Sequence, residues 1–236
     1  MKKVVLAGVL GCFGMVSADS DVSGKEAFAG FNVGAGLNYV HSKADVDCTF
    51  VDPTGSSPSV SGGSKCSKGR FGGYFALGYG NFVSASNWYV GGTIVVDVDK
   101  KNRHEYSIAD VSSNVSSKNS GVVPSMCFKL GRYVDSVDSL LFIEFGLCRN
   151  SCNVAQSSSA IVAVNSLELS NRRFTPVVGL GMEKMICDNL SFYASWNYRV
   201  PSFKSSVIAN YAAPAYCVAS ANNKSHVVRV GCVYHF

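Results

Sequence analysis

Ala29-Gly30-Phe31-Asn32-Val33-Gly34-Ala35-Gly36-Leu37-Asn38-Tyr39 alternates at every step. Ala29, Phe31, Val33, Ala35, Leu37 and Tyr39 are apolar, while Gly30, Asn32, Gly34, Gly36 and Asn38 are small or polar. Successive side chains of an extended strand point to opposite faces, so the stretch predicts a strand with one greasy face and one small, polar face. Its length matches the ~9–11 residues that a tilted strand needs to cross a bilayer.

The same pattern recurs over Arg70–Gly80, Trp88–Asp99, Val122–Gly131, Leu140–Cys148, Arg173–Glu183, Leu190–Arg199 and from His226 to Phe236. Eight such segments predict an all-β fold, an eight-stranded antiparallel up-and-down transmembrane β-barrel, because single-chain bacterial barrels carry an even number of strands. A soluble barrel or sandwich would bury its greasy face and show charge outside. Here the candidate inner face is Gly, Ser, Asn and charged residues, too small and polar for an oily core. The greasy face is therefore expected to meet lipid, with closure removing the unpaired edges that lipid cannot satisfy. Connections sort by length. Asn81–Asn87, Arg132–Ser139 and Lys184–Asn189 are short; His41–Gly69, Lys100–Gly121, Arg149–Arg172 and Val200–Ser225 are long and rich in Ser, Asn, Gly and Lys. This is the expected layout of periplasmic turns and external loops, with both termini periplasmic.

Composition agrees with this reading. Charged residues make up 16% of the 236, below the roughly one quarter usual in soluble domains, yet no mature stretch is apolar long enough for a transmembrane helix. Lys2 and Lys3, an apolar run from Val4 to Val16 and the small residues Ser17 and Ala18 read as a signal peptide over 1–18, leaving 19–236 as the barrel domain. Lipidation at Cys12 is the competing reading. The formal charge of +5, lowered by loss of the two signal lysines, gives no nucleic-acid signature. Localisation in the cell outer membrane follows from these expectations.

Charges on the polar face are Arg70, Asp97, Lys129, Glu144, Glu183, Arg199 and Arg229. An eight-strand interior is just wide enough for side chains to fill, and charges there need partners. Arg70 is expected to pair with Asp97 and Lys129 with Glu144, with Arg229 and Glu183 extending the network. A structural plug is the preferred reading, a gate or ion path the alternative. Tyr39, Tyr79, Trp88, Trp196, Tyr198 and Tyr234 sit near strand ends as interface girdles.

With Cys12 lost in the signal, eight of the nine cysteines are expected to remain, and an even count in an exported chain is compatible with disulfides. Cys48 and Cys66 share the first long loop; Cys148, Cys152 and Cys217 are candidates for one bridge between loops three and four. Cys127, Cys187 and Cys232 are too dispersed to pair with one another. No spacing suggests a metal site, and no cofactor is implied. His41-Ser42 and Ser225-His226 are adjacent at outer strand ends, where a lipid-hydrolysing barrel would place a dyad. Chance adjacency in a Ser-rich chain is the preferred reading, and no catalytic residue is expected. Lys100, Lys101, Arg103 and His104 form a basic rim that suits lipopolysaccharide phosphates or acidic host glycans, against the alternative of a solvated loop.

Phe174–Glu183, with its short turn into Leu190–Arg199, resembles the third hairpin of the OmpA-type eight-strand barrel family, and Val228–Phe236 resembles its closing strand. Opacity-type and surface-antigen barrels are similar too. The resemblance implies that Tyr234 and Phe236 serve as the signal read by the outer-membrane assembly machinery. Two departures stand out: the chain stops at Phe236 without a peptidoglycan-binding domain, and its cysteines are untypical. The expected function is a non-enzymatic surface protein, structural, adhesive or antigenic, in contact with outer-membrane lipid, lipopolysaccharide and host surface ligands. A narrow porin-like channel for small solutes is the alternative.

Overall fold

The structure, a computed structural model, describes residues 24–51, 60–83, 86–99, 102–108, 113–119, 121–158, 167–200, 205–210 and 216–236. Among these, eight antiparallel strands close into a barrel: β1 (Gly30–Val51), β2 (Val60–Phe82), β3 (Trp88–Asp99), β6 (Val122–Val134), β7 (Ser139–Ser158), β8 (Leu167–Cys187), β9 (Leu190–Arg199) and β11 (Tyr216–His235). Each pairs with its neighbours in sequence, and β1 pairs with β11 to finish the ring. The closing ladder runs from Asn32 opposite His235, and the Phe236 N–H donates to the Phe31 carbonyl at 3.0 Å.

Alternation became wall geometry as expected. The odd residues of the opening stretch face outward, with Phe31 67% and Leu37 71% exposed, while Asn32 and Asn38 are buried inside. Phe71, Phe75, Leu77, Ile94, Met126, Ile143, Leu180 and Val230 continue the apolar outer belt. Water would leave that belt uncovered; a bilayer covers it, and closure leaves no unpaired strand edge around the belt.

Three short turns join strands at one end. Asp138 adopts a left-handed conformation (φ 47°) after the 3-10 turn Asp135–Val137, and the Tyr133 hydroxyl donates to its carboxylate at 2.6 Å. Asn87 reaches Asp135 at 2.9 Å and ties two turns together.

The opposite end differs from the expectation of loops. β1 and β2 stay paired as far as Phe50 opposite Val60, and β7 and β8 as far as Gln156 opposite Leu167. A hairpin of β4 (Asn102–Ile108) and β5 (Ser113–Asn119) joins the edge of β7, and β10 (Ser205–Asn210) pairs with β11. The ladder therefore continues beyond the belt. Alternation could not reveal this, because outside lipid both faces of a strand are wet and the apolar–polar contrast vanishes.

Candidate functional site

Inside the barrel, side chains stack in layers. Near the long-hairpin end Arg70 Nε lies 3.3 Å from Asp99 Oδ2, a charge contact without an aligned hydrogen bond. Next comes Asp97, fully buried. Its carboxylate accepts Arg229 Nε and Nη2 at 2.9 and 2.7 Å, Arg199 Nη2 at 2.6 Å and Asn38 Nδ2 at 2.9 Å. The expected Arg70–Asp97 pair is thus corrected. Asp99 opposes Gly72 and Asp97 opposes Tyr74, so Asp99 is the nearer to Arg70, and Asp97 belongs one layer deeper to arginines arriving from β9 and β11.

Lys129 and Glu144 stand directly opposite in the β6–β7 ladder, Nζ to Oε1 3.8 Å. The ammonium also lies 4.7 Å from the Phe142 ring centroid and 4.9 Å from that of Tyr193, which themselves stack at 5.7 Å. The Tyr193 hydroxyl donates to Glu144 at 3.1 Å. Cation–π contact and ion pair together hold one buried ammonium.

Glu183 does not extend the arginine network. It pairs with His235 Nε2 at 2.7 Å and accepts from the Ser191 hydroxyl at 2.5 Å. Ser191, His235 and a carboxylate suggest a hydrolytic triad, but one imidazole nitrogen faces both partners while Nδ1 has none, so no relay runs from acid through base to hydroxyl. Beneath this cluster the 3-10 segment Lys25–Phe28 enters the short-turn mouth. Phe28 is fully buried, its ring 5.8 Å from His235 and 5.9 Å from Tyr133.

The inner face is also less small and polar than the sequence suggested. Tyr74, Tyr89, Tyr133, Phe142, Tyr193, Leu140, Val95 and Val233 form a buried cluster with Phe28. Inward glycines make room for it: a Cβ on Gly80 would collide with the Tyr89 hydroxyl, and one on Gly181 would come within 2.5 Å of the Phe142 ring. Glycine paired with a large aromatic on neighbouring inward positions was the available signal. Asn38, Asp99, Ser191 and His235 are the partners that sequence reasoning missed.

Cys148 does not take the place that the sequence allowed it in a bridge between loops three and four. Cys148 is a free, fully buried thiol on the inner wall, packed with Cys127, Val123 and Val177, because it opposes Ser125 within the barrel ladder and is not part of a loop. Cys48 opposes Gly62 and Cys66 opposes Ala44, four residues away along the ladder. At ~3.4 Å per residue that offset exceeds the ~7 Å Cα limit of a disulfide. The side chains of Cys48, Cys66, Cys152, Cys217, Arg103 and His104, together with Lys100, Lys101 and the signal segment, lie outside the described residues. Among the described residues no three His, Cys, Asp or Glu side chains gather as metal ligands.

Tyr39, Tyr79, Trp88 and Trp196 are exposed on the belt, with Tyr198 and Tyr234 half-buried beside them. Tyr234 packs edge-on to Phe236 at 5.0 Å, near the closing seam. His41 and His226 face outward while Ser42 and Ser225 face inward, so neither adjacent pair forms a dyad. His41 Nε2 instead lies 3.0 Å from Ser67 Oγ across the strand pair, with no carboxylate partner among the described residues.

A closed barrel with an apolar belt and a packed, polar-paired interior is a fold that other proteins share. OprG, an outer membrane protein from Pseudomonas aeruginosa, matches with a TM-score of 0.51 at 11% identity, over 88% of this chain and 97% of OprG. This chain has the fold of an eight-stranded transmembrane β-barrel. The barrel is also similar, at lower scores, to the outer membrane protease OmpT from Escherichia coli (TM-score 0.47, 9% identity, 94% of this chain and 99% of that one). Ail, the attachment invasion locus protein of Yersinia pestis, gives a TM-score of 0.34 at 11% identity over 81% of this chain and 98% of its own. No protein-family model matches the barrel sequence, and no curated protein does.

Proposed function

We propose that the barrel is a non-enzymatic display protein, structural or adhesive, whose working surface is the β wall that rises beyond the belt on the outer side. One observation carries this reading: strand length. β1, β2, β7, β8 and β11 run to 22, 23, 20, 21 and 20 residues. A membrane crossing needs only ~9–11, so about half of each strand stands outside lipid. The packed lumen supports the same reading. The Asp97–Arg199–Arg229 layer, the Lys129–Glu144–Tyr193 layer and the Phe28 plug lie one below another, with their side chains buried.

The test has two arms. Planar bilayers containing the refolded barrel should show no steady conductance; sustained open channels would favour a narrow pore and sink the display reading. Cells displaying the full chain should bind host glycan or matrix surfaces more than cells displaying a version cut back to Val40 and Arg70, Asp99 and Val122, Cys148 and Phe174, and Arg199 and Ser225. Equal binding by both would remove the adhesive part.

A further inference from the structure

The ladders align outward-facing residues of β2, β1, β11 and β9 in level rows. Phe71, Tyr39, Val228 and Trp196 form one row; Gly69, His41, His226 and Tyr198 form the next; Ser67, Lys43 and Lys224 form the third. The intervening Val40, Ser42, Ser225 and Val227 are buried inside, which fixes the outward direction of the rows. The lowest row is apolar and lipid-exposed, with Tyr39 and Phe71 in ring contact at 4.9 Å. A Cβ on Gly69 would collide with the Tyr39 hydroxyl, so that hydroxyl rises to the level of the imidazoles. In the second row the His226 ring packs on Trp196 at 5.7 Å and on Tyr198 at 5.0 Å.

The third row poses an electrostatic problem. Lys43 and Lys224 are direct partners in the ladder and share one face. Directly opposed residues have Cβ atoms only about 5 Å apart, and like charges so placed repel. Among the described residues neither ammonium has a carboxylate partner. One row further out, Asp45 is opposite Lys65 in the backbone ladder. A shared anion would remove the repulsion. The aromatic row directly below marks the membrane interface, the level at which headgroup phosphates lie.

We propose that this four-strand face holds one phosphorylated lipid of the outer leaflet. Its headgroup phosphate bridges Lys43 and Lys224, with the Ser67 hydroxyl beside them and His41 and His226 one row below as further polar contacts. Its acyl chains descend over Phe71, Tyr39, Val228 and Trp196. The site lies at the foot of the outer wall, so lipid binding is read on the intact chain, independently of any adhesive role.

A Trp88→Phe background leaves Trp196 as the single tryptophan, since the chain has two. In zwitterionic detergent-lipid micelles, bis-phosphorylated lipid A should change Trp196 emission saturably, and native mass spectrometry should retain one lipid per barrel. Lys43→Gln/Lys224→Gln should weaken both by about tenfold or more, the scale of two lysine–anion contacts at a membrane surface. Lys43→Arg/Lys224→Arg should retain binding, and so should Lys184→Gln at the other end of the barrel. Dephosphorylated lipid A should bind the unmodified barrel as weakly as phosphorylated lipid A binds the double glutamine variant, which keeps the test decisive if that variant fails to fold. Inorganic phosphate alone should give no saturable change. Equal binding of phosphorylated and dephosphorylated lipid, equal binding by the double glutamine variant, saturation by free phosphate, or a second copy of the barrel on this face in place of lipid would each overturn the proposal.

Discussion

Replacing Asp97 by asparagine keeps the shape of the side chain and removes its charge. The carboxylate accepts four hydrogen bonds, three of them from two arginines whose side chains are 1% and 3% exposed. Without it, two buried cations face one another across an amide. Breaking a buried pair by removing one partner costs about 3–5 kcal/mol. The amide oxygen still accepts one bond, so about 4 kcal/mol is expected for Asp97→Asn. With a urea slope of about 2 kcal/mol per molar, the unfolding midpoint should fall by about 2 M. Arg199→Met is the informative control. It leaves the bidentate Asp97–Arg229 pair and a balanced charge, so it should cost only about 1–2 kcal/mol despite removing a larger group. Urea titrations in lipid vesicles, followed by tryptophan emission and by heat-modifiable gel mobility, measure both. An Asp97→Asn midpoint within about 0.3 M of the parent, or a larger loss in Arg199→Met than in Asp97→Asn, would refute the claim that uncompensated charge governs this layer.

Other outcomes follow from the wall and the plug. Phe28→Ala should lower stability by about 2–3 kcal/mol, below the usual cost of a buried Phe because the plug segment can settle inward. Bilayer recordings of the same variant should remain silent, since the ionic layers above it are intact. Gly146→Ala, whose Cβ would strike the Met126 carbonyl and the Cys127 backbone, should cost about 2 kcal/mol. Gly92→Ala, with nothing within 4 Å, should stay within about 0.5 kcal/mol of the parent in the same urea assay. A water-soluble maleimide should label the exposed Cys187 in the folded barrel, whereas the buried Cys127 and Cys148 should react only after unfolding, as peptide mass spectrometry would report.

The strand count and faces were legible because lipid outside and packed side chains inside impose opposite chemistry on alternate residues. Phe31 and Asn32, or Ile143 and Glu144, declare their sides without any partner being known. The same contrast is what ends beyond the belt. There Ser, Asn and Lys suit either face, and the strands of β4, β5 and β10 read as loops. The interior pairs were legible only in part. Lys129 and Glu144 lie on strands joined by a short turn, whose length constrains the register. Asp97 meets Arg199 and Arg229 from strands far away in sequence, at heights set by the stagger of the ladders.

Sequence alone determined that this chain has alternating strands, an apolar exterior and buried charges needing partners, because each of those is a property of neighbouring residues. Tertiary structure alone decided which partners the charges on strands distant in sequence take. Ring closure between β1 and β11 brings residues more than a hundred positions apart to one level, so that Asp97 rather than Asp99 receives two arginines and two lysines meet on the outer face.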